Sequence, residues 1–186
     1  MNCTEDFAML ADNVEKVLIT EEEIIERCTQ LGKQISKDYA DTYPVIIGLL
    51  KGSVPFMAEL IKHIDIDCEI EFMAVSSYSG VESMGDVKIV KDLDRSIKGM
   101  HVLIVEDIVD TGKTLEKVKE LLYSKGAASV KVVSLLDKPD RRIVDIEAEY
   151  VGFTIPNEFV IGFGLDFDQK YRNLPYVGVL KEECYK

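Results

Sequence analysis

A chain of 186 residues can bury one self-sufficient core, whereas two domains sharing that length would each be marginal, so a single domain over residues 1–186 is expected. The 34 acidic and 22 basic residues give a formal charge of −12, which argues against a nucleic-acid backbone binder, since those set lysine and arginine against phosphate. The start MNCTEDFAML is acidic where a secretory leader is basic, and the longest apolar run, around Pro44 to Leu50, falls short of the ~20 residues that span a bilayer. Cys3, Cys28, Cys68 and Cys184 form no CxxC pair and no zinc spacing. A cytoplasmic protein with reduced thiols and no membrane or nucleic-acid partner is expected.

In chain order, Thr20 followed by Glu23 is a capping-box signature, and Ile24, Cys28, Leu31 and Ile35 recur at helical spacing, predicting a helix over about 21–39. PVIIGLL from Pro44 is a short continuous apolar run, the pattern of a strand buried on both faces. After KGS, the stretch VPFMAELIKHI reads as a helix with Ser53 as N-cap and Pro55 in its first turn. Asp67 to Val75 alternate, with Cys68, Ile70, Phe72 and Ala74 on one side, predicting a strand with one face more exposed. SSYSGVESMGD is a long loop, and VKIVKDL from Val87 resumes an extended pattern. HVLIVE is a buried strand, GKTLEKVKELLYSKG a helix stopped by Gly126, SVKVVSLL a core strand and KPDRR a charged loop. Short strands are expected near Tyr150–Phe153, Phe159–Phe163 and Tyr176–Leu180. Recurring strand, turn, helix units predict an open α/β sheet, whose ligands bind outside the carboxyl ends of the strands. KGS, EDIVDTGKT and DKPDRR all fall at such ends.

The stretch VLIVEDIVDTGKTL ends like a phosphate-binding P-loop but carries Asp107 where the first glycine of GxxxxGK[ST] should stand. If its helix opens near Thr111 or Gly112, the backbone N–H groups of Asp110, Thr111, Gly112, Lys113 and Thr114 converge, with two threonine hydroxyls, into a phosphomonoester cradle. The adjacent carboxylates Glu106 and Asp107 repel each other and call for compensation by a sugar diol, a magnesium ion, or a diol already holding the metal. One site for a 5′-phosphate and a ribose diol describes a ribose phosphate, with Asp110 lying between them and free to act on whatever sits at the anomeric carbon.

On these residues the chain closely resembles the type I phosphoribosyltransferases, whose phosphoribosyl-pyrophosphate signature it carries in the EDxxDTG form of the hypoxanthine-guanine branch. The resemblance implies that family's fold: an open, mostly parallel twisted sheet flanked by helices, a small hood from terminal segments, with about 150–186 forming the purine-binding part, and a mobile lid loop at about 76–87. It further implies that Lys51 and Gly52 form a pyrophosphate loop, in which the peptide before the lysine is typically cis. Ser77 and Tyr78 fall at the tip of the closing loop. Lys138 matches the donor to the purine 6-oxygen, Phe159 the ring stacked on the base and Val160 a backbone contact to its edge. Asp166 matches an acid near the purine 2-position and the second magnesium, and Arg172 an arginine that reaches pyrophosphate. Lys113 itself reads by default as a solvated helix residue that lends only its N–H.

The implied activity is transfer of the 5-phosphoribosyl group from 5-phospho-α-D-ribose 1-diphosphate to N9 of hypoxanthine or guanine, giving IMP or GMP and diphosphate. Asp110, Lys51, Tyr78 and Arg172 would be catalytic, and Mg2+ would be held through Glu106, Asp107 and Asp166. A homodimer or homotetramer is implied as well. Two alternatives are a xanthine-preferring transferase and a non-catalytic regulator that senses the same ligand.

Overall fold

The computed structural model describes residues 10–77 and 87–186. Strand β1 (Val14–Ile19) leads directly into helix α1 (Glu21–Asp38), which begins where Thr20 Oγ1 accepts from Glu23 N at 3.3 Å and Glu23 Oε2 accepts from Thr20 N at 2.8 Å. The predicted stripe Ile24, Cys28, Leu31 and Ile35 is the buried face of that helix. There follow β2 (Val45–Leu49), α2 (Val54–Leu60), β3 (Glu69–Ser77), β4 (Val87–Lys91), β5 (His101–Val109), α3 (Lys113–Ser124), β6 (Ser129–Asp137), β7 (Tyr150–Thr154), β8 (Val160–Ile161) and β9 (Val177–Leu180).

Six of these strands form one sheet in the order β4-β3-β2-β5-β6-β7, parallel throughout except that β4 runs antiparallel to β3. Alternate residues of the central strands feed two cores, as the two-residue period of a strand requires. Ile46, Leu103, Val105 and Val133 pack with Phe56 and Leu60 of α2 and the stripe of α1, while Ile47, Val102, Ile104 and Val132 pack with Leu115, Val118 and Leu122 of α3. Helices therefore cover both faces, which explains the continuous apolar wording of β2 and β5. A second, three-stranded antiparallel sheet, β1-β9-β8, joins both ends of the chain into a small hood.

Four local expectations differ from the structure. Ser53 has helical backbone angles and donates its hydroxyl to Leu49 O at 2.7 Å, so it closes the turn after β2 without capping α2. In β3 the fully buried side chain is Met73, whereas Ile70 on the other side is 46% exposed, because Met73 packs in the α3-side core and Ile70 does not. The strand expected over Phe159–Phe163 shrinks to Val160–Ile161, since Phe163 turns the chain at φ 47° and donates its N–H to Leu174 O at 2.9 Å. KPDRR contains one 3-10 turn over Pro139–Arg141.

What opens the site is a mismatch in ladder length. The β2–β5 pairing stops at Gly48 against Val105, while β5–β6 runs on to Val109 against Asp137. From Glu106 onward, one flank of β5 has no strand beside it.

Candidate active site

The turn after β2 passes this open flank. The Leu50–Lys51 peptide is cis, Lys51 is exposed, and Gly52 is buried hard against Asp107, so that a Cβ at position 52 would overlap the Asp107 carboxylate. Only glycine lets the turn approach so closely. Glu106 and Asp107 thus lie within the last part of β5 and not just beyond it, both half-buried, and Asp107 lines a cleft.

Their electrostatics carry the marks of an incomplete site. Burial, and then the Asp107 charge, push the Glu106 carboxyl well above the ordinary carboxylate range. Burial also raises the Asp107 carboxyl; a hydrogen bond from Ile108 N at 2.9 Å and the Arg172 guanidinium oppose this, and the Asp166 charge adds to it. Asp166 and Arg172 come from the loop between β8 and β9, where Arg172 Nη2 lies 2.7 Å from Asp166 Oδ1 and Arg172 Nη1 donates to Gly164 O at 2.7 Å. Gln169 ties that loop to the β2 turn, donating its N–H to Asp166 at 2.9 Å and accepting from Lys51 Nζ at 3.3 Å. Arg172 Nε is buried with no hydrogen-bond partner, an orphaned cationic donor that an anionic ligand would satisfy.

The cradle is the start of α3. Gly112 is its N-cap at φ 83°, with no side-chain capping bond, so the first N–H groups of the helix are left for an anion. The left-handed angle favours glycine, and a Cβ there would lie 2.5 Å from Ile146 Cγ2. Lys113 and Thr114, on the first turn, are exposed, and Thr111 O accepts from Ile143 N at 3.2 Å.

Next to the cradle lies a cleft of about 480 Å³ lined by Asp107, Asp110, Lys138, Phe159, Val160 and Asp166 of the expected set, together with residues the sequence reading did not single out, among them Arg141, Leu165 and Tyr185. Lys138 is buried and donates Nζ to Glu158 O at 2.6 Å; burial first, and Arg141 second among the lowering influences, pull its ammonium below the ordinary value, against Asp110 and Glu158. Phe159 is 38% exposed, stacked on Tyr185 at 4.8 Å and edge-on to Phe167 at 5.7 Å. Asp110 Oδ1 accepts from Arg141 Nε at 2.6 Å. A larger groove of about 860 Å³ adjoins the hood and shares Phe159 and Tyr185, but none of its lining comes from β2, β5 or β6. Among the described residues no group of three or more His, Cys, Asp or Glu side chains is arranged to hold a metal ion, and no helix is long and apolar enough to cross a membrane. Ser77 ends β3, paired with Val87; Tyr78 lies outside the described residues, as does most of the predicted loop.

Comparison with known proteins agrees with this geometry. A model of the phosphoribosyl transferase domain matches residues 17–168. The hypoxanthine-guanine phosphoribosyltransferase of Lactococcus lactis is 60% identical over 173 residues, covering 92% of this chain and 94% of that protein, and the one from Streptococcus pneumoniae is 56% identical over 178 residues, covering 95% and 99%. A crystal structure of hypoxanthine phosphoribosyltransferase from Staphylococcus aureus superimposes with a TM-score of 0.92 at 52% identity over 96% of this chain and 97% of that one. The hypoxanthine-guanine phosphoribosyltransferase from Bacillus anthracis gives 0.85 at 43%, over 91% and 98%. Matched by that family model over most of its length and carrying the acid pair and uncapped helix start at the carboxyl ends of one sheet, this chain belongs to the phosphoribosyl transferase domain family.

Proposed function

We propose that the protein transfers the 5-phosphoribosyl group from 5-phospho-α-D-ribose 1-diphosphate to N9 of hypoxanthine or guanine, releasing diphosphate and forming IMP or GMP. The observation that carries this reading is the buried Lys138 beside Asp110 and the exposed face of Phe159, in a chain 60% identical to a hypoxanthine-guanine phosphoribosyltransferase. A lysine donor suits a 6-oxo purine, whereas adenine offers hydrogens where an acceptor is needed.

The start of α3 holds the 5′-phosphate through the N–H groups of Thr111, Gly112, Lys113 and Thr114. Glu106 and Asp107 orient the ribose diol and face the positive charge that develops as the anomeric bond lengthens. Lys51 and Arg172 neutralise the departing diphosphate, and the orphaned Arg172 Nε supports that role. Phe159 stacks on the base, Lys138 donates to its 6-oxygen, Val160 contacts its edge through the backbone, and Asp166 lies near its 2-position. Asp110 takes or holds the proton at N7 while N9 attacks. Ser77 and Tyr78 contribute to closure over the reactants, which excludes water from an activated sugar.

The donor set fits Mg2+: this ion binds through one or two carboxylates and completes its shell with substrate oxygens and water, so a three-carboxylate cage is not needed. Glu106 and Asp107 would hold one ion and Asp166 a second, and when bound these would supply charge neutralisation at the diphosphate and diol. We also propose a homodimer or homotetramer, which sedimentation equilibrium tests by mass. For the reaction itself, the protein mixed with Mg2+, 5-phospho-α-D-ribose 1-diphosphate and hypoxanthine is expected to give IMP and diphosphate in equal amounts. Absence of IMP at micromolar enzyme would refute the assignment.

A further inference from the structure

Arg141 had no role in the sequence, yet it touches the residue proposed as the base. The 3-10 turn over Pro139–Arg141 starts from Lys138, with Arg141 N donating to Lys138 O at 3.1 Å. Lys138 and Arg141 both line the cleft. From there Arg141 Nε reaches Asp110 Oδ1 at 2.6 Å.

The next two residues grip the same segment from behind. Arg142 donates one guanidinium nitrogen to Asp110 O and pairs the other with Asp137, and Ile143 N donates to Thr111 O at 3.2 Å. Residues 141–143 are thus a splint along Asp110 and Thr111. The Arg141–Asp110 pair is the part with no evident structural value: its side chains are 44% and 38% exposed, and exposed pairs contribute only about 0–1 kcal/mol to stability.

We infer that Arg141 is a positioning residue for the transfer reaction: it holds the Asp110 carboxylate in the rotamer that meets the purine N7 proton, at the wall of the cleft where Lys138 receives the 6-oxygen. The inference rests on the proposed transferase activity. Lys138, Arg141 and Asp110 all line this cleft, where Lys138 Nζ is tied to Glu158 O and Arg141 Nε to the Asp110 carboxylate.

The test is a double-mutant cycle with Arg141→Met and Asp110→Asn, read as kcat/KM for hypoxanthine with saturating 5-phospho-α-D-ribose 1-diphosphate and Mg2+. Arg141→Met is expected to lower kcat/KM by about 10–100-fold, the worth of a charge-assisted hydrogen bond. In the Asp110→Asn background the same substitution is expected to change it less than about twofold, because Arg141 acts through that carboxylate. The thermal midpoint should barely move, and Arg141→Gln serves in the same cycle should the methionine variant misfold. Activity within twofold of the parent in Arg141→Met would overturn the inference, as would an equal loss in both backgrounds. An inactive parent protein would overturn the transferase reading itself, which keeps the two failures apart.

Discussion

Replacing Glu106 by glutamine keeps the shape of the side chain and removes one of two adjacent charges in the last part of β5. Its carboxyl is raised well above the ordinary value of 4.5, by burial first and by Asp107 second. Below pH 4.5 the group is protonated in both the folded and the unfolded chain and costs folding nothing. As pH rises from there the unfolded chain releases its proton first, and stability falls by about 1.4 kcal/mol per pH unit until the folded pKa is passed. In the folded chain the Glu106 carboxylate lies beside Asp107, so at pH 7.5 its ionisation opposes folding. Glu106→Gln removes that cost, so its thermal midpoint is expected above the parent's at pH 7.5, and each kcal/mol recovered raises it by about 2–4 °C in a chain of this size. Scanning calorimetry in chelator, from pH 5 to pH 8, measures it. The advantage should be largest at pH 8 and narrow towards pH 5, and kcat/KM of the same variant should fall. A midpoint equal to or below the parent at pH 7.5, or a gap that widens on acidification, would refute the argument that this carboxyl is held at a cost to stability for function.

Lys138→Met should lower kcat/KM for hypoxanthine by about 10–150-fold, the loss of one hydrogen bond from a charged donor, with the Kd for the pyrophosphorylated ribose unchanged by titration calorimetry. Asp110→Asn should slow the chemical step by about 10²–10⁴-fold in single-turnover experiments while phosphate binding persists; unchanged turnover would remove its role at N7. Gly52→Ala must displace either the β2 turn or the Asp107 carboxylate, and is expected to cost about 1–3 kcal/mol of stability by denaturant titration together with most of the activity. An alanine variant with parental kinetics would show that the tight approach of Gly52 is incidental.

Where periodicity or capping carried a signal, the sequence announced the element. The Thr20–Glu23 box and the Ile24 to Ile35 stripe located α1 to within a residue of its observed end, and continuous apolar runs marked β2, β5 and β6. β1 went unread because its central residues Glu15, Lys16 and Val17 are exposed and two register shifts break any alternation. The 3-10 turn at Pro139 is too short for a periodic signal, which is why Arg141 and Arg142 read only as a charged loop; two adjacent arginines just past a strand-end lysine, in a chain of net charge −12, were the available clue. Tyr185 and Leu165 reach the cleft through tertiary placement of the last strand and the loop before it, which no local pattern encodes. The acid pair was legible as chemistry, while the reason for its open flank, the early end of β2 beside β5, is a property of register.

The central claim is that this cleft selects a 6-oxo purine and joins it to a phosphoribosyl group. Its most direct test is nucleotide formation by the unaltered protein with Mg2+ and 5-phospho-α-D-ribose 1-diphosphate, offered hypoxanthine, guanine, xanthine and adenine in parallel. The account predicts IMP and GMP with kcat/KM at least about 10³-fold above that for adenine, the discrimination expected when a buried donor is left unpaired. Adenine used as well as hypoxanthine, or no nucleotide from any 6-oxo purine, would contradict it.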